Sequence, residues 1–268
     1  METVPETTYH FHQWIEPELQ LKGVQSMWYY QNDQRTPSER VIPDGKIDLI
    51  FHFGDPMTRT ANDKSQLNPL ANLVGPMTQP YEIEPMGKSH MIGVRLNAAS
   101  AQNFFQFELG TIQNKVIDLA DVWFPGCVNN ILQCEDQLMR VKLIKAALLS
   151  RSKESRFNWL SDALEFTGAV GFPTVDAWAR STGYSVRYLE KAFKRTLGMT
   201  PRQFLSITRV QATIDTHRQN PTISMSKLAY MHGFSDQSHF NKDFIRYIGT
   251  TPKRFFRESH PMLDTTQS

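Results

Sequence analysis

Up to about residue 120 the apolar positions fall in short runs, among them Ser26–Tyr30, Lys46–Phe53 and Met91–Leu96. Turn formers separate them: Pro43-Asp44-Gly45, Gly54-Asp55-Pro56, Gly75-Pro76 and Pro85-Met86-Gly87. Runs and punctuation of this kind predict antiparallel strands in a small cupin-like barrel or sandwich. A short helix is expected over Ala98–Phe107. The stretch from Arg59 to Pro69 is polar without apolar period and is expected to be an exposed loop. From Asn130 to Ser150 the period becomes helical, with Ile131, Leu138, Val141, Ile144 and Leu148 at steps of three and four. That helix packs either on its own barrel or on the same helix of a second copy, which makes Asn130–Ser150 the candidate homodimer contact. The polar segment Arg151–Arg156 is the candidate linker, and everything beyond it is expected to be helical.

An internal repeat marks that second part. Trp178-Ala179-Arg180-Ser181-Thr182-Gly183-Tyr184-Ser185 returns as Leu228-Ala229-Tyr230-Met231-His232-Gly233-Phe234-Ser235. After a one-residue insertion, Leu189, Phe193, Gly198, Thr200, Pro201 and Phe204 recur as Phe240, Phe244, Gly249, Thr251, Pro252 and Phe255. Each piece has a physical reason. Ala179 and Ala229 are small where helices cross closely. Gly183 and Gly233 suit the positive φ of a reversing chain. Tyr184 and Phe234 plug the corner, and Ser185 and Ser235 cap the helix that follows. Helix, sharp turn, capped helix is a helix-turn-helix, whose second helix enters the major groove of DNA. Between the copies, Thr200, Pro201 and Gln203 predict a capping box opening a helix that runs to about Arg218, where Asn220-Pro221 stops it. About 18 residues span roughly 27 Å, enough to hold two reading helices about one DNA turn, ~34 Å, apart.

A helical hairpin repeat used for protein contacts has similar glycines. The outer faces favour DNA: Arg187, Lys191, Lys194 and Arg195 on the first capped helix, Gln237, Asn241, Lys242 and Arg246 on the second. Arg and Lys bond guanine edges and phosphates, and Gln and Asn pair with adenine. Net charge adds to this. The whole chain is only +2, but residues 155–260 hold 15 Lys/Arg against 8 Asp/Glu, while the remainder holds 14 against 19. A basic segment on an acidic partner domain suits a phosphate-binding module.

The repeat resembles the DNA-binding domain of the arabinose-regulator (AraC/XylS) family of bacterial transcription factors. Gly183-Tyr184-Ser185, Phe193-Lys194-Arg195 and Gly198-Met199-Thr200-Pro201 resemble the first half of the family signature. Gly233-Phe234-Ser235-Asp236-Gln237-Ser238-His239-Phe240, Phe244 and Gly249-Thr250-Thr251-Pro252 resemble the second. The resemblance implies seven helices in two helix-turn-helix subdomains. It places Arg187, Glu190 and Lys191 toward the groove from one reading helix, and Gln237, Ser238, His239, Asn241 and Lys242 from the other. Glu190 either accepts from cytosine N4 or repels phosphate. Ile245 stands where the second copy often carries a Lys. The resemblance also implies double-stranded DNA and RNA polymerase as partners and transcription activation as a role, although the sequence itself does not separate activation from repression.

Ahead of this unit, Arg40-Val41-Ile42-Pro43-Asp44-Gly45-Lys46-Ile47-Asp48-Leu49-Ile50-Phe51, Gly75-Pro76 and Ile92-Gly93-Val94-Arg95-Leu96 resemble a little-characterised barrel domain. Related barrels sense a small-molecule effector or mediate dimerisation. Asp48 and His52 share one strand face with Ile50 between them, while Leu49, Phe51 and Phe53 line the other. Trp28, Tyr30, Asp48, His52 and Arg95 are the candidate effector residues, against the alternative of a barrel core with a rim arginine. His10 and His12 are spaced like two metal ligands, yet no His with a following Glu completes a cupin-type set, so no metal or cofactor is expected. Cys127 and Cys134 are the only cysteines and suit buried small hydrophobes better than a redox switch.

The expected architecture is α+β: a barrel over residues 1–125, an amphipathic helix and linker over 126–155, and an all-α double helix-turn-helix over 156–260. The 268 residues, 40% hydrophobic and 21% charged, suffice for two cores. No run approaches the ~18 apolar residues of a membrane span, and Met1 to His12 lacks a signal-peptide pattern, so a cytoplasmic location is expected. An enzyme fused to the DNA-binding unit is disfavoured: alkyl-transfer repair needs more cysteines, and no phosphate loop or Ser/His/Asp setting is present. A protein-binding barrel that DNA merely localises is the remaining alternative to an effector-sensing regulator.

Overall fold

The computed structural model describes residues 9–15, 19, 21–152 and 173–258. Ten strands come first: β1 (Tyr9–Ile15), β2 (Val24–Asn32), β3 (Glu39–Val41), β4 (Ile47–His52), β5 (Met57–Ala61), β6 (Lys64–Leu67), β7 (Ala71–Val74), β8 (Tyr81–Pro85), β9 (Ser89–Leu96) and β10 (Val116–Asp118). They form two antiparallel sheets, one ordered β1-β2-β9-β4-β7-β10 and the other β3-β8-β5-β6. The expected barrel is thus a pair of open sheets. Alternation along the strands makes three layers. On β4, Ile47, Leu49 and Phe51 join one core with helical segments behind the large sheet. Trp28, Met57, Tyr81, Ile83 and Met91 form a second core from both sheets.

Two sequence expectations change here. Arg59–Pro69 is no loop: β5 and β6 form a hairpin turned by Asn62 and Asp63, at φ 50° and 58°. Both turn positions take positive φ, which Asn and Asp tolerate in a two-residue hairpin. The apolar signal is missing because β6 is an exposed edge strand. Nor is Asn130–Ser150 one helix. After a short α1 (Ala98–Ala101), the chain forms α2 (Pro125–Gln133) and α3 (Gln137–Arg151). Asp136 restarts the helix by accepting from the Met139 amide at 2.7 Å. The break resets the phase, leaving Leu138 66% exposed while Ile131, Ile144 and Leu148 are buried. Arg140 lies 3.8 Å over the Phe53 ring and Arg151 4.9 Å over Trp123, so α3 packs on its own sheet. The candidate linker overlaps the end of α3, and its residues 153–156 lie outside the described residues.

Six further helices are described: α4 (Val175–Thr182), α5 (Val186–Leu197), α6 (Pro201–Gln219), α7 (Met225–Met231), α8 (Gln237–Ile248) and α9 (Pro252–Phe255). The first of the seven implied helices lies outside the described residues. Each of the six is capped by a Thr, Ser or Asp side chain: Thr174, Ser185, Thr200, Ser224, Asp236 and Thr251. α6 opens with the expected capping box of Thr200 and Gln203. Trp178, Leu189, Phe193, Phe204, Leu228, Phe240, Phe244 and Phe255 fill one continuous core, so the repeated apolar set is the packing of the unit. No described helix is long and apolar enough to cross a membrane.

Candidate nucleic-acid interface and sensory cavity

The two helix-turn-helix motifs are α4–α5 and α7–α8. Gly183 and Gly233 take φ of 72° and 70° at the reversals, as the turn requires. Ala179 and Ala229 are buried at the crossings. The corner residues differ: Phe234 is buried, but Tyr184 is 36% exposed and stacks on Tyr188 at 4.7 Å. The caps differ too. Ser185 accepts from the Tyr188 amide at 3.2 Å, whereas the second motif uses Asp236, which accepts from the His239 amide at 2.7 Å. Ser235 instead donates to Asp236. The one-residue insertion between the copies moves the cap by one position. Bonding to the His239 amide holds the Asp236 carboxyl below its ordinary range.

Both second helices bury one stripe and expose the other. On α5, Leu189, Ala192, Phe193, Thr196 and Leu197 are buried, while Arg187, Glu190, Lys191, Lys194 and Arg195 are exposed. On α8, Phe240, Phe244, Tyr247 and Ile248 are buried; Gln237, Ser238, Lys242 and Arg246 are exposed, with His239 and Asn241 half-exposed. Some of these side chains are held within the fold. Gln237 accepts from the Ser226 hydroxyl at 2.8 Å, which aims its amide, and His239 lies 3.7 Å from Asp243. At the far end of α5, Lys194 donates to the Gly198 carbonyl at 2.6 Å, and Arg195 faces Glu108 at 3.6 Å. Those two residues cap and dock the helix, which leaves Arg187, Glu190 and Lys191 as its free polar stripe. With a neutral serine cap and no acidic residue in its first turn, α5 offers a positive end to phosphate, whereas the end of α8 is already occupied by the Asp236 carboxylate.

α5 is also where the two halves of the molecule meet. The Leu109–Ile112 turn packs on it so closely that a Cβ at Gly110 would lie 2.5 Å from the carbonyl oxygens of Lys194 and Arg195. Only a residue without a side chain allows that approach. A second contact comes from β3 and the turn that follows it. Arg40 donates to the Ile248 carbonyl at the end of α8, and Ile42 lies within the helical core.

The same segment walls a cavity of about 90 Å³ between the two sheets. Trp28, Asp48, His52 and Arg95, four of the five candidate effector residues, line it. Tyr30 does not; it is fully buried beside the cavity, with its hydroxyl accepting from Asn32. Asp48 and Arg95 are cross-strand neighbours, and the Arg95 fork grips the Asp48 carboxylate with two bonds of 3.0 Å. The same guanidinium reaches Asp44 at 3.2 Å. Burial opposes its charge, but Asp48 and Asp44 together outweigh that and raise its pKa. Burial lowers Lys46 and pushes His52 down to about 4, so His52 is neutral at pH 7. Asn72 bonds the His52 ring at 3.0 Å. Asn72, Asp44 and Tyr81 were missed by sequence reasoning as cavity residues. Asn72 had one readable signal, an amide inside the otherwise apolar run Ala71–Val74. Among the described residues no cluster could hold a metal ion; His10 and His12 sit on β1, His12 edge-on to Trp14. Cys127 and Cys134 are half-buried free thiols.

Paired helix-turn-helix motifs on one continuous core, joined to an antiparallel sheet domain, define a DNA-binding transcription regulator. Comparison with known proteins agrees. Residues 178–258 match a helix-turn-helix domain family, and residues 13–118 match a domain of unknown function (DUF6597). The chain is 31% identical over 107 residues to the probable transcription factor PqrA of Proteus vulgaris, covering 40% of this chain and 84% of that protein. It is 32% identical over 95 residues to the transcriptional activator RhaS of Escherichia coli strain SE11, covering 35% of this chain and 32% of RhaS. The structure of ToxT from Vibrio cholerae shares the fold across 93% of this chain and 98% of that one, at 8% identity and a TM-score of 0.51. The chain belongs to the AraC/XylS family of transcription regulators.

Proposed function

We propose that the protein reads two successive major-groove segments of its operator through Arg187, Glu190 and Lys191 of α5 and Gln237, Ser238, Asn241 and Lys242 of α8. Arg246 and the amino-terminal end of α5 hold phosphate. The observation that carries this is the repeat itself: two capped helices, each with a buried apolar stripe and an exposed polar one. Activation through RNA polymerase in the bacterial cytoplasm is the role that fits, as the name of RhaS suggests.

The sheet domain, on this reading, senses a small molecule in the cavity between its sheets. Residues 40–44 supply both the cavity wall and contacts to α6 and α8, so a molecule that moves the wall moves the seat of the DNA-binding unit. The candidate contact between copies through Asn130–Ser150 is narrowed to the outer face of α3, where Leu138 and Leu149 are exposed with Lys142 between them. Gel shifts of the full chain on its own upstream region test the reading. Retarded bands that Lys242→Ala and Arg187→Ala each weaken support it, and equal retardation of unrelated DNA contradicts it.

A further inference from the structure

Resting on the sensory reading above, we infer that the cavity takes a small uncharged molecule carrying an amide-like donor and acceptor on an apolar frame, such as a short primary amide or a lactam. Three observations lead there. The first is that both guanidiniums lining the cavity are already committed. Arg95 is held by Asp48 and Asp44, and Arg40 by Glu82 at 3.1 Å. Lys46 lies in the field of the same two aspartates. An anion entering the cavity would find both guanidiniums committed and the charge on Lys46 disfavoured by burial, and an ammonium would find Asp44 and Asp48 already engaged. Burying an unpaired charge is far costlier than burying a neutral polar group. His52 adds no charge, because burial keeps its ring neutral.

The second observation is what is left over. Among the described residues, the Trp28 indole Nε1, the Asn72 Oδ1 and the Asn68 Oδ1 are buried with no hydrogen-bond partner, and all three residues line the cavity. Trp28 and Asn72 are 3% and 2% exposed. The Asn72 amide nitrogen is committed to the His52 ring and to the Pro69 carbonyl, and its oxygen has no hydrogen-bond partner. The Trp28 donor and the two asparagine acceptors ask for a guest with an acceptor and an N–H or O–H donor. Buried polar groups in native proteins are otherwise nearly always paired. The third observation is the frame. Val41, Ile42, Ile50, Met57, Val74 and Met91 supply an apolar lining, and 90 Å³ is less than the ~150 Å³ that accepts benzene. The guest is therefore compact.

Three probes of similar size separate the charge classes: propionamide, propionate and propylamine, titrated into the ¹⁵N-labelled full chain. The readout is the Trp28 indole N–H resonance, assigned by its loss in Trp28→Phe. Propionamide is expected to shift that resonance saturably and to bind about tenfold or more tightly than either charged probe. Asn72→Leu, or Asn68→Leu should the first not fold, is expected to weaken the amide about tenfold. Preference for propionate or propylamine, or no saturable shift with any probe, overturns the inference. Operator affinity measured with and without propionamide separates the two layers. An amide that binds at Trp28 without altering DNA affinity sinks the sensory reading while leaving the ligand class intact.

Discussion

Gln211, midway along α6, donates its side-chain amide to the carbonyl oxygen of Pro43, the residue before the Asp44 that holds Arg95 over the cavity. Three residues earlier in the same segment, Arg40 reaches the end of α8. Five residues thus connect a candidate ligand site with both the connecting helix and the second reading helix. Each of these hydrogen bonds contributes about 0.5–1.5 kcal/mol. The double variant Arg40→Ala/Gln211→Ala is expected to loosen the two halves without unfolding either. Calorimetry of the full chain checks this: the wild type should melt as one unit and the variant as two separated transitions. A variant melt superimposable on the wild type would refute the linkage.

On the reading helices, position along the helix decides the effect. Arg187→Ala or Lys242→Ala should weaken operator binding and, where the lost contact is to phosphate, lower the salt slope by about 1. Where it is to a guanine edge, the loss should concentrate at one base pair, by about 1–3 kcal/mol. Arg195→Ala should leave the slope unchanged, because Arg195 faces Glu108. Fluorescence anisotropy over a range of salt concentrations distinguishes these outcomes.

The repeat also makes a prediction about stability. Phe193 and Phe244 occupy equivalent places in the two motifs, and both are fully buried. Phe193→Ala and Phe244→Ala should each cost about 3–5 kcal/mol. Because the two belong to one continuous core, either should lower the melting of the whole helical unit. Helical circular dichroism against urea checks this, and loss of only one motif's helicity would contradict it.

His52 gives the fold a pH dependence of known sign. Its ring stays neutral in the folded state down to about pH 4, against an ordinary value of 6.5. Between those values the unfolded chain binds the extra proton, so stability falls as pH drops and the loss is complete near the folded value. The contribution is at most about 3 kcal/mol. His52→Gln should remove that part of the slope. Urea midpoints at pH 7 and pH 4.5, compared between wild type and variant, measure it.

Much of this was readable in the chain because local rules were written locally. The capping box at Thr200, the positive φ at Gly183 and Gly233, and the alternation of Leu49 and Phe51 against Asp48 and His52 each depend on neighbours a few residues away. What was misread depended on register or phase. The repeat sets Ser235 level with Ser185, but its one-residue insertion acts just after and hands the cap to Asp236. Steps of three and four join Leu138 to Ile131 and Ile144 in one period, but the break at 134–136, which no glycine or proline announces, turns Leu138 outward. Asn72 and Asp44 join the cavity only through cross-strand pairing and a distant arginine, which no spacing along the chain encodes.

The most direct test of the central claim is methylation interference on the operator with the full chain. Two rigidly joined reading helices predict two clusters of interfering guanines, about one helical turn or 10 bp apart and on one face of the duplex. Arg187→Ala should then erase one cluster and Lys242→Ala the other. A single cluster, or two that both vanish with one substitution, would contradict it.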